Sequence, residues 1–429
     1  MQLQPQHTLH IKNGHVIDPA NNLDGIIDIF IENDCIVALD KAPIGFQAEC
    51  TIDASGKTIF PGFIDLSSFL AEPGFSQRGS IANETHAAAQ SGFTTLCCTP
   101  NTKPVIDSAA VAALVQEKAQ KAGYCRVLPL GALTANLEGE QLSNMSSLKE
   151  AGCVALSQTE LPFKDGHVIK QCYNYAAGFN ISAWVTPIDQ ALAHGGCMHE
   201  GAASTQMGLA GVPVSAETSA LAQHLILCEE TGVKLHISRI SSARAVQMIL
   251  DAQQQGLPVT ADVAIGNLVF TDEDCRGYNS LMHVSPVYRS ESDRQALLQA
   301  VNDGHIAICS NHVPQGHAAK MAPFAASETG IASLDNFTQV LLSLVEKGEL
   351  NLHSAVKAVT QLPASILKKK LGSIAIEHKA DLCIVDLNES TTVKVDTLQS
   401  KGANNPWIGQ TFKGKVTHTI NNGNIVFQD

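Results

Sequence analysis

The sequence FPGFIDLSSFLAEPG, residues 60–74, begins with an apolar run that is typical of a buried β-strand. The tripeptide Glu72-Pro73-Gly74 ends this run with a turn signal. Because alternate side chains of a strand point to the same face, we predict that Ser67 and Phe69 face whatever the strand encloses. The rest of the chain therefore has to supply the other strands and helices that surround this strand.

Seven further short apolar runs follow this stretch, and each is preceded by a helical pattern. The runs are GFTTLCCT, RVLPLGAL, CVALS, ISAWVT, VKLHIS, PVTADVA and IAICSN. Eight strands alternating with helices predict a (β/α)₈ TIM-type barrel of parallel strands. A doubly wound open sheet is the alternative, but no glycine-rich dinucleotide fingerprint follows any of the strands.

The two ends of the chain have a different pattern from the middle. Residues 1–59 and 371–429 contain short strand-like runs separated by Asn-Gly, Asn-Asp and Ser-Gly turn signals. Two strand-rich ends around a long middle segment predict that the termini pair into one small β domain. The barrel is then expected to occupy residues 60–370.

The composition of the 429 residues indicates a soluble globular protein, with 45% hydrophobic and 16% charged residues. The net charge of −13 argues against nucleic acid or an anionic membrane as a partner. No secretory signal is visible in MQLQPQHTLH, and no apolar stretch is long enough to span a membrane. The 12 cysteines are scattered without a C-x-x-C motif, so we expect free thiols in a reducing cytoplasm.

The stretch FIDLSSFLAEPG resembles the first barrel strand of the amidohydrolase superfamily, and in particular the dihydroorotase motif D-x-H-x-H-x-R-E-P-G. The two histidines of that motif hold a catalytic zinc in the family, and its arginine grips the substrate carboxylate. This sequence has Ser67, Phe69 and Ala71 at the three positions. The resemblance covers nearly the whole chain, and it implies that both termini build a composite β-sandwich beside the barrel.

The same resemblance places the other metal ligands of the family on non-ligand residues. Gln158 in SQTELP stands where the family has the first aspartate of S-D-D-G, and Thr186 stands for the histidine of H-A-E-D. Arg239 in HISRISS replaces the second histidine of H-x-x-H-x-S-T. Asn311 in CSNHVPQ replaces the aspartate that is both ligand and general acid/base, and an amide accepts no proton near neutral pH. Gln315 replaces a substrate-contacting histidine.

All six ligand positions are thus predicted to be degenerate, since none carries a usual zinc donor: Ser67, Phe69, Gln158, Thr186, Arg239 and Asn311. We expect Arg239 to place a fixed positive charge where the metal belongs, and Phe69 to fill volume and exclude water. The resemblance with these substitutions implies no metal, no other cofactor and no catalytic residue. Asn101 and His312 are retained from the family pattern, but no substrate binding is expected from them.

Two other kinds of site remain open alternatives. His236, His305, His312 and His317 lie at or near strands and are candidates for a relocated metal, although no H-x-H or helical H-x-x-x-H motif supports them. Ser67, Cys309 and Ser310 are candidate nucleophiles, but no G-x-S-x-G elbow and no adjacent base accompany them.

The closest resemblance is to the non-catalytic pseudo-dihydroorotase chains that stabilise some bacterial aspartate carbamoyltransferases. It implies a structural partner of the catalytic chain of that enzyme in pyrimidine biosynthesis, acting in the cytoplasm. It also implies a homodimer within a hetero-dodecamer of six plus six chains. The alternatives are an active amidohydrolase that uses an unrecognised site and a solitary ligand-binding protein.

Overall fold

The computed structural model describes residues 8–429, so the first seven residues of the predicted segment 1–59 lie outside the described residues. The amino-terminal part of the described chain forms five strands: β1 (Thr8–Asp18), β2 (Leu23–Glu32), β3 (Cys35–Leu39), β4 (Cys50–Asp53) and β5 (Thr58–Pro61). Ten more strands follow in the middle of the chain: β6 (Phe63–Ser68), β7 (Phe93–Cys98), β8 (Arg126–Ala132), β9 (Ala155–Thr159), β10 (Ala183–Val185), β11 (Met198–His199), β12 (Gly211–Val212), β13 (Leu235–Ile237), β14 (Val259–Ala264) and β15 (Ala307–Cys309).

Eight of these middle strands form one parallel sheet in the order β15-β14-β13-β10-β9-β8-β7-β6. The first and last strands meet just beyond their ends, where Ser68 bridges to His312 and the Phe69 backbone N–H donates to the His312 carbonyl over 2.8 Å. The sheet therefore curls into a near-closed barrel, which confirms the predicted (β/α)₈ architecture. Strands β11 and β12 pair separately as a small two-stranded sheet.

Helices connect the barrel strands and cover them from outside. They are α1 (Ile81–Gln90), α2 (Ala109–Ala122), α3 (Met145–Glu150), α4 (Gly166–Gly178), α5 (Gln190–Ala193), α6 (Ala202–Met207), α7 (Val214–Thr231), α8 (Ala243–Gln254), α9 (Ile265–Val269), α10 (Glu291–Asn302), α11 (Phe337–Glu346), α12 (Leu352–Val359) and α13 (Gln361–Leu367). Several begin at a serine whose side chain accepts an otherwise unpaired backbone N–H, as Ser80 does for Asn83 and Ser242 does for Ala245. Strand β6 is buried along its whole length, as the apolar sequence predicts for a parallel strand covered on both faces.

Both ends of the chain form a second sheet beside the barrel. The carboxy-terminal strands are β16 (Leu382–Thr392), β17 (Thr411–Asn421) and β18 (Asn424–Gln428). The sheet runs in the order β18-β17-β16-β5-β1-β2-β3, and β4 pairs with β1. Because β5 pairs with both β1 and β16, the two termini share one sheet-rich domain, as predicted. The domain boundaries at residues 59 and 370 stay predictions.

None of the helices within residues 8–429 is long and apolar enough to cross a lipid bilayer. The cysteines are free thiols, and ten of them are buried.

Asp335 ties the beginning of α11 to the carboxy-terminal segment. Its Oδ1 accepts hydrogen bonds from the backbone N–H groups of Gln399 over 2.6 Å and Ser400 over 3.2 Å. Its Oδ2 is buried and has no hydrogen-bond partner among the described residues. Burial raises the pKa of the Asp335 carboxyl to about 6, although the two backbone N–H groups oppose that increase.

This raised pKa predicts a specific dependence of stability on pH. Between about pH 4 and pH 6 the folded chain keeps a proton on Asp335 that the unfolded chain has released, so the free energy of unfolding falls as the pH rises. The contribution of this group amounts to about 3 kcal/mol across that window. We expect Asp335→Asn to lose this dependence, measured by urea unfolding at several pH values.

Asp396→Asn is the matched control, because Asp396 is an exposed aspartate in the same carboxy-terminal region. Its stability should follow that of the unmodified protein across the window. Equal pH profiles for Asp335→Asn and the unmodified protein would contradict the assignment.

Candidate functional site

Arg239 lies at the carboxyl end of barrel strand β13, where barrel enzymes place their chemistry. Only 6% of the residue is exposed. Its φ of +58° puts a non-glycine residue in the left-handed region, which is sterically unfavourable. The Asp262 carboxylate holds this conformation by accepting the Arg239 backbone N–H over 2.7 Å. The backbone is therefore positioned by a buried acceptor from the next barrel strand.

The guanidinium of Arg239 brings two other predicted positions together. Nη1 donates to Asn311 Oδ1 over 2.9 Å, and Nη2 donates to Thr186 Oγ1 over 2.7 Å. Nη2 also donates to Glu160 Oε2 over 2.6 Å, so the buried cation has a carboxylate partner. Burial is the largest single influence and lowers the pKa of Arg239, but Glu160 together with Cys309 and Asp262 outweighs it, so the pKa lies above its ordinary value. Arg239 is therefore a fixed cation at the centre of the strand ends.

Ser67, Phe69 and Arg239 line one cavity of about 170 Å³ at the barrel mouth. The Phe69 side chain is 4% exposed and lies edge to face with Phe75, with 5.6 Å between ring centroids. The guanidinium carbon of Arg78 lies 4.8 Å from the Phe69 ring centroid, which is a cation–π contact. The Phe69 ring is thus buried in the cavity wall, where two neighbours on its own loop fix it.

Gln158 and Ala71 are not among the residues that line this cavity. Gln158 is fully buried on strand β9, where Oε1 accepts from the Thr134 hydroxyl over 2.8 Å and Nε2 donates to the Leu137 carbonyl over 2.9 Å. Both ends of its amide are thus committed to the loop after β8. Ala71 is also buried and adopts a φ of +61°. The structure therefore brings five of the six predicted positions together and turns Gln158 aside.

The residues retained from the family pattern line the cavity, as does Gln315. His312 Nε2 donates to the buried Glu84 carboxylate over 2.8 Å, and its Nδ1 accepts the Ser333 backbone N–H over 3.1 Å. Both ring nitrogens are thus occupied. Gln315 Nε2 donates to the Thr329 carbonyl over 2.8 Å. Asn101 differs from them, because its Oδ1 is buried without a partner among residues 8–429.

Two buried carboxylates lie close to the strand ends, and both are consumed by hydrogen bonds. Asp65 accepts from the backbone N–H of Ser310 over 2.7 Å and from its hydroxyl over 2.5 Å. Asp262 pairs with His236 Nε2 over 2.9 Å besides holding Arg239. Burial raises the pKa of Asp65. The candidate nucleophile Ser310 therefore donates to an internal carboxylate, is fully buried and does not line the cavity, so its hydroxyl is not placed to attack a substrate.

The sequence analysis missed Glu160, Arg78 and Asp262. Glu160 lies two residues after Gln158, and the ion pair with Arg239 joins segments 79 residues apart. Arg78 is the arginine of the loop that follows β6, seven residues beyond Ala71. Asp262 interrupts the apolar strand PVTADVA, and a carboxylate inside such a strand is a signal that could have been noticed.

The intact family motif implies a divalent metal at this place, and the residues present in this chain do not fit one. A zinc site needs several carboxylate, imidazole or thiolate donors. Here the oxygens of Thr186 and Asn311 already accept hydrogen bonds from Arg239. A guanidinium has five N–H donors and no lone pair to offer a cation. The arginine side chain thus already engages the oxygens of Thr186 and Asn311 that face it.

The Arg239–Glu160 pair predicts that removing the charge of Glu160 lowers the free energy of unfolding more than removing the charge of an exposed glutamate. Glu160→Gln leaves a buried guanidinium without its counter-ion, so we expect the free energy of unfolding to fall by about 1–3 kcal/mol. Glu230→Gln is the matched control, because Glu230 pairs with Lys170 on the exposed surface, and its effect should stay below about 1 kcal/mol. Urea unfolding of both variants measures the difference, and equal losses would contradict the buried pairing.

Comparisons with known proteins agree with this architecture. A family model described as "Amidohydrolase family" matches residues 188–426, and one described as "Dihydro-orotase-like" matches residues 56–245. Among solved structures, the L-hydantoinase (dihydropyrimidinase) from Arthrobacter aurescens superposes with a TM-score of 0.88. That likeness covers 98% of this chain and 96% of the hydantoinase at 22% identity, so it concerns the fold alone.

Curated relatives match over nearly the full length of the chain. A "dihydroorotase-like protein" of Pseudomonas aeruginosa is 41% identical and covers 98% of this chain and 100% of its own. One of Pseudomonas putida is 42% identical, covering 97% and 99%. A "dihydroorotase" of Trichlorobacter lovleyi is 36% identical, covering 98% and 99%. This chain therefore belongs to the amidohydrolase family, as a dihydroorotase-like member.

Proposed function

We propose that this protein is a catalytically inactive dihydroorotase homologue that stabilises aspartate carbamoyltransferase as its structural partner. The observation that carries the first part is the Arg239 network, in which a guanidinium donates to Thr186, Asn311 and Glu160 at the strand ends. Hydrolysis of a cyclic amide in this family relies on a metal-bound water. In this proposal the Arg239 guanidinium takes that place, and the neighbouring Glu160 carboxylate is engaged as its counter-ion rather than as a general base.

The substrate side of the cavity supports the same proposal. Ala71 has no charged group to grip a carboxylate, and the Gln315 amide is engaged by the Thr329 carbonyl. His312 is engaged by Glu84. Asn101 Oδ1 is a buried acceptor without a partner in the described residues. Arg78 and Arg239 also line the cavity, so it keeps cations for a carboxylate but no donor set for the metal that would activate a water.

The partner role is supported by the sequence resemblance to pseudo-dihydroorotase chains and by what the fold retains. The barrel and the sheet-rich domain are complete in the described residues, although the strand ends have changed chemistry. In this proposal, the protein keeps its fold but has lost its catalytic activity, and it acts by binding another protein chain through its surface. In this proposal the chain forms a homodimer within a hetero-dodecamer of six plus six chains, in the cytoplasm, within pyrimidine biosynthesis.

An active amidohydrolase with an unrecognised site is the second candidate. It is favoured by the names of several relatives that are 36–37% identical over most of the chain and are called dihydroorotase. The buried His236–Asp262 and His312–Glu84 pairs are the histidine–carboxylate pairs near the strand ends from which a general base would have to come. Asp262 is already bonded to the backbone of Arg239 and to the thiol of Cys309.

Metal content and turnover separate the two candidates. We expect the protein, purified after growth with added zinc, to hold less than about 0.1 zinc per chain and to show no dihydroorotate turnover above background. The dihydroorotase of Trichlorobacter lovleyi, treated in the same way, is the positive control. About one zinc per chain together with turnover would establish the second candidate and exclude the first.

Light scattering coupled to size-exclusion chromatography tests the partner role. The chain is run alone and mixed with the aspartate carbamoyltransferase catalytic chain of the same organism, and carbamoyltransferase activity is read across the peaks. We expect co-elution as one large complex whose activity survives heating longer than that of the catalytic chain alone, because binding to the folded state stabilises it. Separate elution with unchanged heat stability would reject the partnership.

A further inference from the structure

A second cavity of about 160 Å³ lies beside the first one. Glu160, Ser285 and Thr329 line both cavities and form the wall between them. The second cavity extends away from the strand ends, toward the beginning of α7 and the segment that precedes α10. Two buried charged side chains that the proposed function does not use, Glu217 and Arg289, belong to its lining.

Glu217 lies in the first turn of α7 and is 4% exposed. Its Oε1 accepts the backbone N–H of Ser241 over 2.6 Å and the Ser241 hydroxyl over 3.1 Å. Its Oε2 is buried and has no hydrogen-bond partner anywhere in the described part of the chain. One oxygen of this carboxylate therefore positions the side chain, and the other has an unsatisfied capacity to accept.

Arg289 lies on the facing segment and is also 4% exposed. Nε donates to the Ser241 hydroxyl oxygen over 2.9 Å, and Nη1 donates to the Val212 carbonyl over 2.9 Å and contacts His199 Nδ1 at 3.3 Å. Nη2 donates to no atom among residues 8–429. The guanidinium is thus held rigidly on one side while its other side has donors to spare.

The two charges share Ser241 but make no direct ion pair within the described chain. A buried carboxylate oxygen without a donor is costly, and native proteins rarely leave such an atom without a hydrogen bond. The Nη2 group of Arg289 has donors available on the same cavity. A molecule with a donor for Glu217 and an acceptor for Arg289 satisfies both groups at once. Such bonds are charge-assisted and strongest when the molecule itself carries a cation and an anion.

One part of the wall is apolar, while Glu160, Thr186 and His283 add polar groups elsewhere in the lining. Val212 and Val287 belong to one small hydrophobic cluster, against which Ile188 packs, and all three side chains line the cavity. The volume matches that of an engineered cavity of about 150 Å³ that holds benzene. An occupant of this size has few heavy atoms and an apolar portion.

We propose that this cavity binds a small apolar α-amino acid as its zwitterion, with the ammonium group on Glu217, the carboxylate on Arg289 and the side chain against Val212 and Val287. This site goes beyond the proposed function, because the two charged groups that would bind the amino acid, Glu217 and Arg289, take no part in the Arg239 network, although Glu160 and Thr186 of that network line the same cavity.

Isothermal titration calorimetry of the full chain tests the site with L-alanine, L-valine, L-leucine and L-isoleucine as probes. We expect saturable binding of at least one of them below about 10 mM. Isobutylamine, which is valine without its carboxylate, and isovalerate, which lacks the ammonium group, should each bind about tenfold or more weakly than the best amino acid, since each leaves one buried charge unpaired.

Glu217→Gln keeps the Oε1 acceptor for Ser241 and removes the charge, so amino acid affinity should fall about tenfold or more. Glu229→Gln is the matched control, since it makes the same change at an exposed position of α7, and it should leave affinity unchanged. Ile188→Phe fills the cavity from its wall and should abolish binding without altering either charge.

Three results would overturn the proposal. The first is that none of the four amino acids binds at about 10 mM. The second is that binding is unchanged in Glu217→Gln and Ile188→Phe. The third is that isobutylamine and valine bind with equal affinity. A crystal structure grown in the four amino acids that shows only ordered water between Glu217 and Arg289 would do the same. Thermal unfolding of each variant verifies that it is folded before its titration is read.

Discussion

The ion pair between Arg239 and Glu160 is the interaction on which the barrel mouth depends. Because Arg239 is only 6% exposed, its charge has to be compensated and its N–H groups need acceptors. Nη1 and Nη2 have them, whereas Nε is buried without a partner in the described residues. Glu160 supplies the charge, and the neutral oxygens of Thr186 and Asn311 supply the acceptors. These four side chains therefore form one set, in which each compensates the charge or the hydrogen-bonding groups of another.

In this set the positive charge at the strand ends belongs to a side chain, whereas in a metal site it belongs to a bound ion. Arginine carries one positive charge where zinc would carry two, so one carboxylate is enough to balance it. Hydroxyl and amide oxygens then suffice as its other neighbours, because they accept hydrogen bonds without adding negative charge. Asp262 completes the arrangement by holding the backbone of Arg239 in its left-handed conformation. The second cavity also contains two buried charges, Glu217 and Arg289. They line the cavity without forming an ion pair with each other in the described chain.

Much of the architecture could be predicted from the sequence, because strand and helix periodicities are local signals. The alternation of apolar runs with helical patterns predicted the barrel, and the register of FIDLSSF correctly predicted that Ser67 and Phe69 face the cavity. The partners of the site residues could not be predicted in the same way. Glu84 is 228 residues from His312 and Glu160 is 79 from Arg239, and no spacing rule connects such distant segments. Gln158 turns aside because of hydrogen bonds to the loop after β8, which depend on side-chain conformation.

In the proposed inactive protein, the Arg239 guanidinium occupies the place of a metal ion. Crystals grown with excess zinc, with anomalous diffraction recorded at the zinc absorption edge, test it most directly. The account predicts no anomalous peak in the cavity lined by Ser67 and Phe69, with the Arg239 guanidinium in density between Thr186 and Asn311. A zinc peak in that cavity, with Arg239 displaced from its acceptors, would contradict it.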